Sequence, residues 1–484
     1  MENFIYRFRP LDRLLGIAGS PGELESLQIY FPTPAQLNDP LEGFKDYFWS
    51  GDEIVWRNLL RHYLLCLTQH CLLHLLTEKD EKPHSEILIE NHLSDIPPAM
   101  AEIVRTISHS FLEIDQIKKY VSLLPKENRK FRRNELCIHF RIIHRTALNI
   151  IFSEFAKQNL CAPELAAHYL KDTNHVILDA LVEVLNSETD TEAANGLFNG
   201  LNSVYEQSKI LQYKEEWPKR EFFLLSEFPE EFTKALESLT HPEWYTACFM
   251  SDCSNSSIWG TYGQNHAGVC LKYKIGDLNS AQHMDLYGPI GWDKDGLFKG
   301  KMKLPFYKID YERAFTEIDF FRSLGNLPKP KILNYWYGEE NGLKSECFKI
   351  LESDNWRQEY WDSFIQSITV KLKDWQFENE YRLIMSPSII DLRDKDSRIL
   401  NYSLELLDGV IFGINTSTEV KCEVISILEK LCTRHSQGTV KVYQARYDAN
   451  TKMIKHDELK LLPISTNHSI DELRLVVDST LGGV

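Results

Sequence analysis

The chain has 484 residues, of which 43% are hydrophobic, 12% aromatic and 26% charged. This composition excludes wholesale disorder, and the length is sufficient for two or three domains with sizeable cores. A formal net charge of −16 argues against non-specific binding to a nucleic-acid backbone, which requires clustered Lys and Arg. It leaves room for a local basic patch or for binding of a single nucleotide.

The apolar pattern divides the chain into three regions. Residues 1–52 contain short strand-like runs, and 53–237 contain apolar residues at three- and four-residue spacing, as in Val55–Leu67, which predicts helices. Strand-like runs such as Tyr381–Met385 return in 238–484. We therefore predict an α+β fold with a mixed or antiparallel sheet core formed by the outer regions and interrupted by a large all-helical insertion. Separate domains around a helical middle are the alternative.

The sequence shows no signal for export or membrane insertion. Met1–Pro10 lacks an apolar signal core, and the longest apolar stretch, Leu64–Leu76, contains polar residues and is too short to span a bilayer. The ten cysteines include no Cys-x-x-Cys pair. We expect a reduced, cytoplasmic protein without a membrane partner.

The segment Trp375–Met385 has the sharpest local pattern. If it forms one strand, Glu378, Glu380 and Arg382 share one face, because successive side chains alternate. Two carboxylates this close repel each other, which raises the pKa of one and suits it to acid or base catalysis. Arg382 then stabilises an anionic form or binds a phosphate with two hydrogen bonds. An ordinary solvated strand face accounts for the same spacing.

A second segment combines aromatic rings with an imidazole. Trp259, Tyr262 and His266 are spaced by three and four residues, so on a helix ending at Gly268 they lie along one face. Such a face can hold a flat ring such as nicotinamide or adenine. A helix whose aromatic residues belong to the core explains the spacing equally well.

Two further patterns lie near the N-terminus. Asn38-Asp39-Pro40 is a turn former, because the residue before a proline is disfavoured in the helical region. As structure alone, it caps a helix beginning near Glu42. Arg7 and Arg9 alternate with aromatic residues, which places both on one face of a strand.

Taken in this order, the motifs closely resemble the bacterial domain-of-unknown-function family numbered twenty-nine seventy-one. The resemblance covers the regions on either side of the helical middle and leaves that middle out. One departure is visible, since Met250 stands between the aromatic residue and Ser251, where family members often have the serine directly. The matching elements are Tyr6-Arg7, Asn38-Asp39-Pro40, Phe249, Trp259 with Tyr262, His266 with Gly268, Trp375 through Arg382, and Val410 to Gly413.

The resemblance implies one site built from distant segments but names no reaction. We predict an ADP-ribosyltransferase-like fold that uses NAD as substrate, with Glu380 stabilising the cationic ribose and Glu378 orienting or deprotonating the acceptor. Arg7 binds the pyrophosphate or ribose, and Tyr262 or Trp259 stacks on nicotinamide. The other substrate-binding residues are Asn38, Asp39, His266 and Arg382. Proteins of this kind with added helical regions resemble bacterial toxin or antiviral-defence components, in which the helical insertion recognises a protein partner or trigger.

Two other classes of function stay open. A non-catalytic module could bind a nucleotide or a peptide at the same polar cluster. A nuclease could use Asp39, Glu42, Glu378 and Glu380 around a divalent metal, since hard cations favour carboxylate oxygens, although no nuclease motif accompanies them. No metal site is predicted elsewhere, because His70 and His74 lack a third ligand.

Overall fold

The fold of the chain is mixed α+β and divides into two compact units. A computed structural model describes residues 4–17, 20–76, 86–125, 129–164, 167, 178–179, 182–183, 191–214, 219–275, 282–294, 296–339, 341–387, 390–435, 439–460 and 462. The sheet unit comprises Met1–Phe44, Glu243–Phe315 and Gln366–Val484, and the helical unit comprises Lys45–Pro242 and Thr316–Ile365.

The observed units differ from the predicted bounds of 53–237 for the helical region. The helical unit runs from Lys45 to Pro242, and it also includes Thr316–Ile365, which lies within the 238–484 region predicted for the sheet domain. The physical reason is burial, because Phe320, Phe321 and Trp336 are fully enclosed in the hydrophobic core of that unit. Burial of such large aromatic side chains outweighs the proximity of this segment to the sheet residues along the chain.

The sheet unit is built on an eleven-stranded mixed sheet. Its strands are β1 (Phe4–Arg9), β4 (Gln28–Tyr30), β7 (Tyr245–Met250), β8 (Val269–Lys274), β9 (His283–Asp293), β10 (Gly296–Lys308), β12 (Glu380–Met385), β13 (Ile399–Tyr402), β14 (Leu407–Phe412), β15 (Lys441–Asp448) and β16 (Met453–Glu458), and a separate two-stranded sheet pairs β2 (Gly16–Ile17) with β3 (Ser20–Pro21). The order across the large sheet is β16-β15-β14-β8-β1-β7-β12-β10-β9-β13-β4. Among these described strands, β14 and β15 are parallel, and the other neighbours are antiparallel.

Both faces of the central strand β1 are covered. Ile5 belongs to one hydrophobic cluster and Phe8 to another, as the two-residue period of a strand requires. The helix Thr418–His435 packs on the Ile5 side through apolar residues three and four apart, including Val424 and Leu428. The helices of this unit are Leu11–Leu15, Ser256–Thr261 and Thr418–His435, with 3-10 turns at Pro34–Gln36, Lys373–Glu378, Asp396–Arg398 and Leu404–Leu406.

The sheet opens into a fork between β1 and β7. These two strands are in register at Tyr6 and Met250. Beyond that pair, β1 continues against β8 as far as Arg9, while β7 continues against β12, where Cys248 pairs with Arg382. The two halves of the sheet therefore separate on the Arg9 side of Tyr6, and side chains of both strands line the gap.

The helical unit is a bundle with a small sheet. Its core is rich in aromatic residues, and Tyr63, for example, stacks on Phe140 with ring centroids 4.6 Å apart. The small sheet has the order β11-β5-β6, with β5 (Asp46–Trp49), β6 (Phe131–Arg132) and β11 (Glu317–Asp319). The helices are Glu53–Leu76, Pro98–Leu112, Asp115–Leu123, Arg133–Lys157, Thr191–Lys214, Lys219–Phe222, Phe228–Ala235 and Lys329–Lys331, with 3-10 turns at Leu93–Asp95, Leu236–Leu239 and Glu346–Glu352 and π-helical turns at Phe223–Glu227 and Ile332–Trp336. A last helix, Trp356–Ile368, begins in this unit, and its final three residues belong to the sheet unit.

All ten cysteines lie in the described ranges and carry free thiols. No helix in those ranges is both long enough and apolar enough to cross a bilayer.

Candidate functional site

A cleft of about 590 Å³ lies in the sheet unit and is lined from both strands of the fork. Phe8 and Arg9 contribute from β1, and Cys248 and Met250 contribute from β7. Its volume is within the range typical of small-molecule sites. The other lining residues are Arg7, Pro10, Arg13, Tyr30, Pro32, Gln36, Leu37, Asn38, Glu42, Thr246, Thr261, Tyr262, Gln264, Lys371, Glu378 and Glu380.

Arg7 provides a buried cation with unused hydrogen-bonding capacity. Its side chain lies over the ring of Phe249, 5.3 Å from the centroid, and Nη2 donates to the carbonyl of Tyr30 at 3.2 Å. The residue is 5% exposed, yet Nη1 has no hydrogen-bond partner among the described residues. Burial, and then the charge of Arg9, lower the pKa of Arg7. A buried guanidinium with a free donor is a strong attractor for an anionic oxygen.

Lys371 lies at the centre of three carboxylates. Its Nζ is 2.7 Å from Oε2 of Glu378, 3.2 Å from Oε2 of Glu380 and 3.7 Å from Oε2 of Glu42. The same ammonium group lies 4.8 Å from the ring centroid of Trp375, the first residue of the Trp-x-x-Glu-x-Glu motif. The lysine thus holds the acidic side of the cleft together.

Arg382 is the second buried cation of this cluster. Its Nε and Nη2 donate to Oε1 and Oε2 of Glu380 at 2.7 and 3.1 Å, a bidentate pair. Nη1 lies 2.6 Å from Oε1 of Glu42 and donates to the carbonyl of Ile368. Arg382 is 0% exposed and does not line the cleft, so the cleft geometry gives no support to its predicted role in substrate binding. Its contacts make it a positioning residue for Glu380.

The segment that carries Glu378 and Glu380 is not one continuous strand. Lys373–Glu378 forms a 3-10 turn, and Asn379 adopts a left-handed conformation with φ 47° and ψ 50° before β12 begins at Glu380. The predicted alternation holds for Glu380 and Arg382 but not for Glu378, which precedes the strand. Glu378 reaches the cluster because the left-handed residue redirects the chain, which Asn tolerates better than most residues.

The Asn-Asp-Pro turn positions a carboxylate that lies beyond it. Oδ1 of Asp39 accepts from the amide of Leu41, and the carbonyl of Asp39 accepts from the amide of Glu42, which fixes Glu42 toward Lys371. Gly43 follows with φ 67°, and a Cβ there would lie 2.5 Å from the ring of Trp244. Asn38 is exposed at the rim of the cleft, whereas Asp39 is buried and does not line it.

The aromatic segment contributes one ring to the cleft. The hydroxyl of Tyr262 donates to Oε1 of Glu378. Trp259 is fully buried against Phe8, with its Nε1 donating to the carbonyl of Cys253, so it cannot stack on a ligand. His266 stacks on Trp259 and does not line the cleft.

The predicted long helix through this segment is also wrong. The helix Ser256–Thr261 ends early, and Gln264, Asn265 and His266 all have positive φ. The carbonyl of Trp259 accepts from the amides of both Gly263 and His266, so the chain folds back on itself there. Hydrogen bonding within this turn replaces the continued helix.

Burial and the charges of the cluster shift the pKa values of its three carboxyl groups in different directions. Burial raises the pKa of Glu378, the charge of Lys371 offsets part of this rise, and the charge of Glu380 adds to it. Burial likewise raises the pKa of Glu42 despite Arg382. For Glu380 burial acts in the same direction, but Arg382 and Lys371 outweigh it and hold its pKa below the ordinary value. Glu380 is therefore the anion, and Glu378 is the cleft carboxyl that holds a proton more tightly.

The structure also identifies residues that the sequence analysis did not assign to the site. Lys371 has a recognisable signal, since it stands alone between Val370 and Leu372 in a buried stretch. Tyr311 has none, although its hydroxyl accepts from the amide of Glu380 at 2.9 Å. Within the described ranges, no group of three or more His, Cys, Asp and Glu side chains is arranged to hold a metal ion.

Comparison of the chain with protein-family models, with curated proteins and with solved structures gave no match.

Proposed function

We propose that the sheet unit binds NAD in the fork cleft and transfers its ADP-ribose group to an acceptor, as part of a cytoplasmic toxin or antiviral-defence protein. The proposal includes membership of the family numbered twenty-nine seventy-one, which the motifs of the chain resemble. It also includes a role for the helical region as an insertion that recognises a trigger.

The observation that carries the proposal is the pairing of two opposite charges in one cleft. Arg7 has a free, buried Nη1 that suits a pyrophosphate oxygen. Glu380 stays ionised, which suits the positive charge that develops on the nicotinamide ribose when its bond to nicotinamide breaks. NAD carries both features within one molecule.

The strand arrangement supports the same reading. ADP-ribosyltransferases look similar in outline, with Arg or His on an early strand, an aromatic or Ser block on a central strand, and Glu, often as Glu-x-Glu, on a late strand. Here β1 with Arg7, β7 with Phe249 and β12 with Glu380 are neighbours in that order. Because likeness of fold does not establish function, the proposal rests on the chemistry of the cleft residues.

The proposed reaction balances as a substitution at the ribose carbon. The bond between C1′ and the nicotinamide nitrogen breaks, and nicotinamide leaves with the electron pair. The acceptor nucleophile forms a new bond to C1′ and loses a proton. Ionised Glu380 stabilises the cationic ribose. Glu378 acts in its deprotonated form and accepts the proton that the acceptor nucleophile loses. Tyr262, rather than Trp259, is the ring available to contact nicotinamide.

A non-catalytic nucleotide-binding role is the second candidate, and one observation favours it. Both carboxylate oxygens of Glu380 are already engaged by Arg382 and Lys371, and the residue is 1% exposed. Each engaged oxygen reduces the negative charge available to a ribose cation. A nuclease role is disfavoured by the same cluster, since the ammonium group of Lys371 occupies the space among the carboxylates where a divalent cation would bind.

Incubation of the full chain with NAD and measurement of free nicotinamide tests the proposal. We expect release by the wild type and a loss of at least about 100-fold in Glu380→Gln, because removal of one electrostatic stabiliser of a transition state costs roughly that much. Arg7→Gln should mainly raise KM for NAD. Arg393→Gln, at a 70% exposed side chain paired with Asp391, is the matched control.

The two candidate functions give different results in the same assay. NAD binding without nicotinamide release, and without a modified acceptor when cell extract is supplied, would support the sensing role and end the transferase proposal. Circular dichroism of each variant separates loss of activity from loss of fold. Because Glu380 is part of a buried cluster, Tyr262→Phe serves as a second variant that leaves that cluster charged.

A further inference from the structure

We propose that the helical unit contains a second ligand site, which binds a phosphorylated nucleoside. The site is a cavity of about 680 Å³ lined by the helices Glu53–Leu76 and Pro98–Leu112 together with residues 92–94, Glu113, Asn334, Tyr335, Gly338 and Glu339. All of its lining residues belong to the helical unit. The volume suits a molecule of nucleotide size.

Arginine side chains give the cavity its positive character. Arg57 and Arg61 lie one turn apart on the first helix, and Arg105 faces them from the second helix. Arg57 and Arg61 share one oxygen of Glu339, at 3.7 and 3.5 Å, which is beyond hydrogen-bonding distance. Oε1 of Glu339 is correspondingly buried without a hydrogen-bond partner among the described residues. A phosphate could therefore receive donors that the protein leaves unused.

Arg61 is the arginine of this cavity with the weakest carboxylate partner. Arg57 lies 3.2 Å from Glu53 and Arg105 lies 3.1 Å from Glu102, each on its own helix. Glu339 is the carboxylate nearest to Arg61, at 3.5 Å, and Arg57 competes for it. Among the described residues, Arg61 therefore has no carboxylate at an ordinary hydrogen-bonding distance, and its guanidinium group favours an anion over a metal cation.

The inner wall of the cavity is flat and aromatic, which suits a base. The ring of His92 lies 4.8 Å from that of half-buried Tyr335 and 5.1 Å from that of His62. His92 accepts from Nε1 of Trp336 at 3.0 Å and is held in place by the carbonyl of Glu90. Burial lowers the pKa of His62 to about 3 and that of His92 to about 4, so both are neutral rings at neutral pH. His62 and His92 are buried, so half-buried Tyr335 is the ring of this wall on which a heterocyclic base can stack while its phosphates reach the arginines.

Isothermal titration of the full chain with ADP tests this site. We expect binding that weakens at least about tenfold in the double variant Arg57→Gln/Arg61→Gln, because loss of one charge-assisted hydrogen bond alone costs that much affinity. Arg105→Gln should weaken binding less, and this half-exposed residue pairs with Glu102, so its removal does not threaten the fold. Adenosine and inorganic phosphate should each bind more weakly than ADP.

The variants also separate this site from the fork cleft. ADP binding that survives Arg7→Gln but not Arg57→Gln/Arg61→Gln supports the proposal, whether or not the cleft uses NAD. Binding that is abolished by Arg7→Gln and unchanged in the double variant overturns it, as does the absence of ADP binding in the wild type. Inorganic phosphate binding as tightly as ADP would overturn the nucleoside specificity. Arg393→Gln controls for the loss of one surface charge, and melting curves verify that each variant is folded.

Discussion

The hydroxyl of Tyr262 donates a hydrogen bond to Oε1 of Glu378, while the other oxygen of that carboxylate lies 2.7 Å from Nζ of Lys371. Both contacts stabilise the ionised form of Glu378, and burial together with the charge of Glu380 opposes them. The protonation of this cleft carboxyl therefore depends on the phenol of Tyr262 as well as on Lys371.

Tyr262→Phe should move the pH dependence of nicotinamide release. Without the hydroxyl, the pKa of Glu378 rises further, so the acidic limb of the profile shifts to higher pH. At pH values on this acidic limb, the rate of the variant should be about tenfold lower than that of the wild type, as expected for loss of a hydrogen bond to a charged group. Tyr447→Phe, at a 57% exposed tyrosine, is the control. An unshifted acidic limb would show that Glu378 does not control the reaction.

Glu380→Gln and Glu378→Gln should have unequal effects on stability. The first leaves the fully buried Arg382 with only Glu42 as a carboxylate partner and should cost about 3–5 kcal/mol at pH 7. The second replaces a carboxyl whose neutral form the fold favours, so the cost should be below about 1 kcal/mol. Hydrogen–deuterium exchange of residues 380–385 reports on this strand even if the two units unfold separately.

The pH dependence of the two variants provides a further check. Because the folded pKa of Glu380 lies below the ordinary value, its stabilising contribution is complete above that value and disappears as the pH falls toward about 2. The deficit of Glu380→Gln should therefore shrink in acid. The folded pKa of Glu378 is raised, so Glu378→Gln should compare most favourably with the wild type at high pH. Parallel pH profiles for both variants would contradict this assignment.

Lys371→Met should destabilise the sheet unit much more than Lys373→Met. The first removes the cation that three carboxylates share and should cost about 3–5 kcal/mol at pH 7. Acidification should recover part of that loss, because the uncompensated carboxyl groups can then bind protons. Lys373 is 67% exposed and paired with exposed Glu312, so its loss should cost less than about 0.5 kcal/mol. Urea denaturation at pH 5 and 8 measures both, and equal costs would argue against a central role for Lys371.

Buried histidines should make the helical unit sensitive to acid. His144 bonds to the hydroxyl of Tyr63 and to the carbonyl of Leu224, and burial lowers its pKa to about 3. Because the unfolded chain binds a proton near pH 6.5, stability is complete above that pH and is lost as the pH falls toward the folded value. The loss should reach about 1.4 kcal/mol per pH unit for each such histidine. His144→Gln should flatten the dependence between pH 6 and 4, whereas exposed His435→Gln should leave it unchanged.

The left-handed residue between the two glutamates should tolerate few replacements. Asn379→Gly fits the backbone and should preserve stability and the cleft, whereas Asn379→Val should cost about 1–3 kcal/mol because of its Cβ branches. The valine variant should also lose nicotinamide release, since Glu378 and Glu380 would no longer reach the same lysine. Wild-type activity in Asn379→Val would show that this turn does not set the geometry.

The same residue shows where sequence reasoning succeeds and where it stops. Two-residue alternation correctly places Glu380 and Arg382 on one side of β12, because strand geometry depends on local covalent structure. It fails one residue earlier, since Asn occurs both in strands and in left-handed turns and only the surrounding packing decides between them. The apolar spacing in Thr418–Leu431 likewise predicts a helix, and the observed helix continues to His435.

Long-range relationships were less accessible. The apolar and aromatic residues of Ile309–Tyr311 predict a strand, but in the structure this segment forms only an isolated bridge, between Asp310 and Val370. The long hairpin of β9 and β10 has no clear signal in the sequence. Lys371 joins carboxylates from two distant parts of the chain, and such pairing has no local periodicity. The order of the motifs predicts that Glu378 and Glu380 belong to one site. Only the fold shows that Arg382 is fully buried and that Trp259 belongs to the core.

The alternation of the chain between the two units sets the order in which they can be completed during synthesis. The helical unit has all its segments by Ile365, whereas the sheet unit lacks β12, β13, β14, β15 and β16 at that point. Strand β1 is made long before β7 and β8, with which it pairs, so its edges stay unpaired until those later segments have been synthesised. A chain interrupted before Glu380 would carry a complete helical unit but an incomplete cleft. Arg7 and Glu380 can therefore meet only after both units have been largely translated.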